Sequence, residues 1–377
     1  MRHWAGLLAA LAIALLLTVV ATTPPGPAPA DAPATSFSAE RAMAEIRAIA
    51  ARPHPAGSPE HARVRAVLLA RLQALGLQTA TRTFPISARG AAALKRQGGA
   101  GTPALHNIIG RLPGRDPTLP AVVLMAHYDS VVGSPGAPDD AAGVAAILET
   151  VRALQAQGRP LRDVIVLLTD GEELGLEGAA AFFRADPLAR RTGVVVNAEA
   201  RGGGGRTSMF ETGADNGGMM RLFGEAVHRP VATSLSVFVY KLLPNNTDLT
   251  RAIQAGAPGF NFAFVGRPGL YHSPLATPDA LDRGAVQDMG RQLLDLSRGL
   301  ANASALPGPE ADATFFDLFG LVFLRYPPAW GWLPLLAAAG LFAWGRRGSS
   351  MPWTSAISPR LPASRWPGWK NAWRRWT

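Results

Sequence analysis

AVVLMAHYDSVVGSPGAPDDAAG, residues 121–143, carries the pattern on which the fold turns. Its opening run of apolar residues is short enough for a strand and is apolar on both faces, as a strand inside a sheet must be. His127 and Asp129 follow at once, then a loop with the acidic pair Asp139 and Asp140, and then apolar residues at helical spacing over 140–154. A buried strand, a polar loop and an amphipathic helix in that order form one unit of an α/β domain. In such domains ligands bind beyond the strand's C-terminal end.

The same unit recurs outward along the chain. DVIVLLT at 163–169 leads into TDGEELGLEG at 169–178 and a helix over 177–184. A strand at 193–196 leads into VNAEARGGGG at 196–205, with a helix at 219–227. A strand at 258–265 leads into GLYHSPLATPD at 269–279 and a long helix over 278–300. Two helical stretches, 39–51 and 60–75, precede the series, and 98–103 reads as a surface loop. The expectation is an α/β fold: one mixed-sheet domain over 37–303 with helices on both faces.

Each polar cluster alone is ordinary. A histidine at a strand end such as His127 is more often a hydrogen-bonded structural residue than a ligand. A Glu172–Glu173 pair is more often a solvated turn. Four such clusters at one sheet edge are harder to dismiss, because they would bring His127, Asp139, Glu172, Glu173, Glu199 and His272 together. The chain has no cysteine, so a metal site here uses imidazole and carboxylate, a donor set suited to hydrolytic zinc.

As a set, His-x-Asp-Ser, Gly-Ala-x-Asp-Asp-x-x-Gly, Gly-Glu-Glu-x-Gly, Asn-x-Glu and Tyr-His-Ser resemble the M28 metallopeptidases, the zinc aminopeptidase and glutamate-carboxypeptidase-like group. The resemblance covers about residues 37–303. NAEARGGGG, PNNTDL (244–249) and TFFDLFG (314–320) are similar to the membrane-bound branch with the endoplasmic-reticulum and vacuolar metallopeptidases. The resemblance implies two Zn2+ per chain: His127 and Glu199 on one, Glu173 and His272 on the other, and Asp139 bridging them. Many relatives have Asp where Glu199 stands; the longer side chain still delivers a carboxylate. Glu172 is the implied general base, and the bond from Asp139 to Asp140 is implied to be cis. Asp129 would orient His127, or else cap a turn. Tyr271 would stabilise the oxyanion, or else pack. Asp248 falls in a similar segment without an assigned role. The implied activity is that of an exopeptidase, most simply an aminopeptidase acting on peptide substrates. The alternatives are a glutaminyl-cyclase-like single-zinc enzyme and a non-catalytic membrane receptor or scaffold. His3, His54, His61, His106 and His228 match no motif and read as structural or exposed.

The two ends meet a different solvent. Residues 4–21 form an apolar run near the roughly 20 residues that span a bilayer, read within 1–23 as a signal-anchor or a cleaved signal peptide. Residues 24–36, rich in Pro and Ala, read as an extended linker, and 315–345 as a C-terminal apolar membrane segment, the alternative being a C-terminal hairpin that packs on the domain. The net charge is +10, but seven basic and no acidic residues lie in the tail from 346 to 377, which leaves only about +3 for the rest. Nucleic-acid binding thereby loses its main support. Eight of the nine tryptophans lie at or after Trp330, and the ninth is Trp4, as expected of membrane-interface anchors. The bilayer is therefore an expected partner. With basic residues at both ends on the cytoplasmic side, the domain faces the periplasm or an organelle lumen.

Overall fold

The computed structural model describes residues 2–348, so the tail from 349 onward lies outside the described residues. The chain divides into a large unit ending at Pro328 and a second unit from Ala329.

Seven strands form one sheet. They are β1 (Gln78–Pro85), β2 (Ala104–Leu112), β3 (Ala121–His127), β4 (Val164–Thr169), β5 (Thr192–Ala200), β6 (Gly204–Thr212) and β7 (Gly259–Gly266). Their spatial order is β1-β2-β4-β3-β5-β7-β6. The four central strands β4, β3, β5 and β7 run parallel, and β1, β2 and β6 are antiparallel to their neighbours. Because successive side chains in a strand point to opposite faces, β3 feeds two cores. Val122, Leu124 and Ala126 join the larger one. Ala121, Val123 and Met125 join the smaller. Each fully buried Val, Leu or Met of this kind contributes about 1.5–3 kcal/mol.

The helices are α1 (Arg2–Thr22), α2 (Ala39–Ile49), α3 (Pro59–Ala74), α4 (Ala88–Arg96), α5 (Ala142–Gln155), α6 (Glu177–Ala185), α7 (Gly217–Ala226), α8 (Ser234–Leu242), α9 (Asp248–Gln254), α10 (Arg283–Asn302) and α11 (Trp332–Gly348). Residues of α2, α3, α5, α7 and α10 line the larger core, and those of α6 and α9 the smaller. The mixed sheet with helices on both faces matches the expectation. The strands β1, β2 and β6 and the helices α4, α8 and α9 were not anticipated.

Both flanks differ from their sequence reading. Residues 28–36 do not hang free. The Arg41 guanidinium donates to the carbonyls of Ala30, Ala32 and Ser36, and Arg152 donates to those of Ala34 and Ser36. Glu149 on α5 anchors both arginines. Main-chain carbonyls are strong acceptors in any sequence, so a Pro- and Ala-rich stretch can still be strapped down. The apolar stretch read as one segment over 315–345 is divided. Its first part is a hairpin of β8 (Thr314–Leu318) and β9 (Val322–Tyr326). The hairpin belongs to the large unit, with Phe315 buried and Phe323 packed edge-on against Phe223 of α7. Among the described residues, only Trp4–Thr22 is long and apolar enough to cross a membrane; α11 falls short at 17 residues.

Candidate metal centre

Four loops meet beyond the C-terminal ends of the parallel strands. His127 is the last residue of β3, and the loop after it returns through a short turn, Ala137–Ala141, into α5. The Asp139–Asp140 peptide in that turn is cis. A tight approach fixes the turn: Gly143 donates its N–H to Asp140 Oδ1, and a Cβ on Gly143 would lie 2.3 Å from that oxygen. Only glycine fits there. Gly171, at φ 73°, ends the β4 loop and starts the turn that carries Glu172 and Glu173. Glu199 is still within β5, and His272, at φ 51°, lies in the loop after β7.

The side chains converge around Asp139. Its Oδ1 is 3.1 Å from His127 Nε2, and its Oδ2 is 3.2 Å from His272 Nε2. Glu199 Oε2 lies 3.9 Å from His127 Nε2, and Glu173 Oε1 lies 3.0 Å from His272 Nε2. Two triads therefore share one carboxylate: His127, Asp139 and Glu199, and Asp139, Glu173 and His272. Glu172 stands within the same cluster, beside His127 and Glu173.

The electrostatics show a site short of positive charge. Burial, with Glu199 and Glu173 nearby, pushes the Glu172 carboxyl well above the usual range. Burial, with Asp139 and Asp248 adding to it, lifts Glu199 to about 8. Burial alone would lower His272, but Asp139 and Glu173 prevail and raise it to about 9. Asp139 moves the other way: against its burial, His127 and His272 hold it down to about 2. Oε1 of Glu173 is buried, with His272 Nε2 at 3.0 Å as its near neighbour. An all-oxygen-and-nitrogen donor set with crowded carboxylates fits divalent cations.

Supporting groups hold this arrangement. His127 Nδ1 faces the Asp129 main-chain carbonyl at 3.0 Å, closer than the Asp129 carboxylate at 3.6 Å. The carboxylate instead accepts the amide N–H groups of Glu172, at 3.1 Å, and Glu173, at 3.3 Å. Asp129 thus aligns the glutamate turn as well as the imidazole. Tyr271 stacks on His272 with ring centroids 3.7 Å apart, and the Arg201 guanidinium lies over its ring. The sequence reading missed Asn197 and Asn261. Asn197 Nδ2 donates to Glu199 Oε1 at 3.3 Å and to Asn261 Oδ1 at 3.0 Å, and Asn261 donates to Glu211 and Thr247. Asn at 197, two residues before Glu199 on one strand face, was the available signal. Asp248 is buried and bonded to Thr169 behind the site, where burial raises its carboxyl to about 6. His61 pairs with Asp170 at 3.0 Å and stacks on Tyr128, a structural role as expected. A cavity of about 340 Å³ opens beside Glu172, Glu173 and Tyr271, with Arg89, Asn246 and Arg251 on its other walls.

Residues 107–297 match the model of peptidase family M28. The chain belongs to peptidase family M28. M28 membership makes it a metallopeptidase, and the family's metal is zinc. Mouse endoplasmic reticulum metallopeptidase 1 is 31% identical over 231 residues, 59% of this chain and 26% of that protein. The vacuolar membrane protease of Yarrowia lipolytica is 30% identical over 227 residues, 59% of this chain and 22% of that protein. The M28 chain thus spans only about a quarter of the length of these relatives. Among solved structures, a zinc aminopeptidase from Bacillus subtilis aligns with a TM-score of 0.56 at 14% identity, over 74% of this chain and 99% of that one. A glutaminyl cyclase from Porphyromonas gingivalis aligns at 0.54 and 18% identity, over 69% and 97%. These likenesses show the fold, an α/β mixed sheet shared by both activities.

Proposed function

We propose that this chain is a two-zinc exopeptidase, most simply an aminopeptidase, held to a membrane by α1 with its catalytic unit on the extracytoplasmic side. One observation carries the reading: Asp139 presents one oxygen to each histidine, and each histidine has a further carboxylate of its own. His127, Asp139 and Glu199 would hold one ion, and Asp139, Glu173 and His272 the other. Zinc bound there would polarise the scissile carbonyl and acidify a water. Glu172 is the remaining carboxylate beside the cavity. It accepts the proton of the attacking water and delivers it to the leaving amine. Burial and the neighbouring carboxylates raise its pKa, the direction that makes a carboxylate a stronger base. Asp129 fixes the direction of Glu172 through the amide bond described above. Tyr271, braced between His272 and Arg201, faces the cavity as the donor to a developing oxyanion. For the position in the membrane, the support is the apolar α1 and the membrane proteases among the relatives.

The test is zinc per chain by elemental analysis of the full protein, with a panel of aminoacyl, acyl-glutamate and N-terminal glutaminyl substrates. Two zincs with release of the aminoacyl group are expected. One zinc with cyclisation of the glutaminyl substrate would replace the proposal with the cyclase reading that the fold also allows.

A further inference from the structure

A second surface of the large unit is built against the usual rule for helices. On α8, Leu235, Phe238, Val239 and Leu242 lie at helical spacing, and the first two are 66% and 60% exposed. Apolar residues so spaced normally face a core; here Val237 does so, and the stripe faces out. The β8–β9 hairpin begins beside the first turn of α8, where Phe315 N–H donates to Ser234 Oγ at 2.8 Å. Its tip exposes Leu318, Phe319, Leu321 and Val322. The turn closes from Leu321 N–H to the Leu318 carbonyl, with Phe319 and Gly320 at φ 55° and 65°. Positive φ at such a turn favours Asn or Gly. A phenylalanine there accepts an unfavourable backbone region and also holds an aromatic ring toward solvent.

This apolar tip adjoins the end of α1. Gly320 sits against the Arg206 guanidinium: a Cβ on Gly320 would be 2.9 Å from Nη1. Arg206, Arg229 and Arg291 line one wall of a cleft of about 280 Å³, and Val19, Val20 and Thr23 from the end of α1 line another. Arg206 is paired with Asp288, which also lines the cleft, whereas Arg229 and Arg291 make no ion pair among the described residues, Arg291 acting on Asp295 only at longer range. The α1 run itself has none of its apolar length buried by the protein. Unpaired arginines beside the last turn of an apolar helix suit the phosphates of lipid headgroups.

We propose that the outward stripe of α8 and the β8–β9 tip form a lipid-docking face that enters the same bilayer as α1, with Arg229 and Arg291 at the headgroup level. This rests on α1 being a span. A bilayer is the occupant that accounts for apolar stripe, apolar tip, arginines and helix end on one side of the unit, and large exposed apolar patches otherwise call for a partner.

The chain has no cysteine, so single cysteines report cleanly. The full protein is placed in liposomes of phosphatidylcholine and phosphatidylglycerol, with Phe238→Cys, Leu321→Cys or Ala66→Cys carrying an environment-sensitive fluorophore. Ala66 is an exposed control on α3, beside β1 at the far edge of the sheet from β6. Nitroxide-bearing phosphatidylcholine should quench the labels at 238 and 321 at least about twofold and leave the label at 66 unchanged. Labels at 238 and 321 that stay water-exposed and unquenched in protein that floats with the liposomes would overturn the face while sparing the span. Labels shielded from water but untouched by lipid nitroxide would assign the surface to a protein partner and overturn it equally. Protein that does not float at all would remove span and face together, and hydrolysis by that same protein would leave the peptidase reading standing.

Discussion

The two halves of the candidate metal centre are held by different means. His127 and Glu199 project from strands in the middle of the sheet, and their side chains are 1% and 9% exposed. Glu173 and His272 come from a turn and a loop, and the His272 side chain is 35% exposed. The first half is fixed by the same hydrogen bonds that hold the sheet together. The second is fixed by backbone turns and by Tyr271 stacked on its histidine. One carboxylate, Asp139, ties a strand-borne half to a loop-borne one whose Glu173 is equally buried, at 7%, but whose histidine is open, and the difference can be tested.

The largest effect is expected from Asp139→Ala. Both halves should lose metal together and hydrolysis should vanish; elemental analysis showing only one ion lost would break the shared-carboxylate reading. Glu172→Gln should keep both metals and lose roughly 10²–10⁴-fold in kcat. A variant with more than about a tenth of the wild-type rate would remove Glu172 as the base. Asn197→Ala should weaken the strand-borne half, lowering zinc affinity there by roughly 10–100-fold, as loss of a ligand's hydrogen-bond partner does; competition with a chromogenic chelator measures it. In the metal-free protein, His127→Ala leaves buried carboxylate oxygens unpaired and should cost about 1–3 kcal/mol by denaturant unfolding. His272→Ala, half-open to water, should cost less. Equal costs would erase the distinction between the halves.

The smallest effect concerns pH. Glu199 has a folded pKa raised from 4.5 to about 8, so its contribution is full below the lower value and is lost as pH rises through the upper. His272, raised from 6.5 to about 9, loses its contribution over an overlapping window in the same direction. Metal-free protein should therefore melt at falling temperature from about pH 6 to 9. Added zinc should raise the melting temperature more at pH 8 than at pH 6, because the metal needs these groups deprotonated. A flat or rising profile without metal would contradict the site's electrostatics.

How much was legible follows from what each element buries. Strands β3, β4, β5 and β7 are covered on both faces, so they stand out as apolar runs, and the polar residues ending them mark the site. β1, with the sequence QTATRTFP, lies at the sheet edge with little apolar content, and β6 begins with glycine. Neither carries a pattern that separates it from loop. The hairpin at 314–326 falls within the stretch read first as a membrane segment, with a packed hairpin as the alternative, because its outward residues are as apolar as its inward ones. Asn261 acts only through neighbours brought together across β5 and β7, a relation that spacing along the chain does not encode, whereas the Asn197 bond to Glu199 follows the two-residue spacing of one strand face. The double attachment of Asp129, by its carbonyl and its carboxylate, likewise belongs to three dimensions.

The strapped segment at 28–36 sets how the enzyme samples its surroundings. A free Pro- and Ala-rich leash of that length would extend to roughly 28 Å, at about 3.1 Å per residue. Tied by Arg41 and Arg152 to the helices that cover the sheet, the segment works as a mooring instead. With α1 as the proposed membrane anchor, the candidate site would keep one height and bearing above the bilayer.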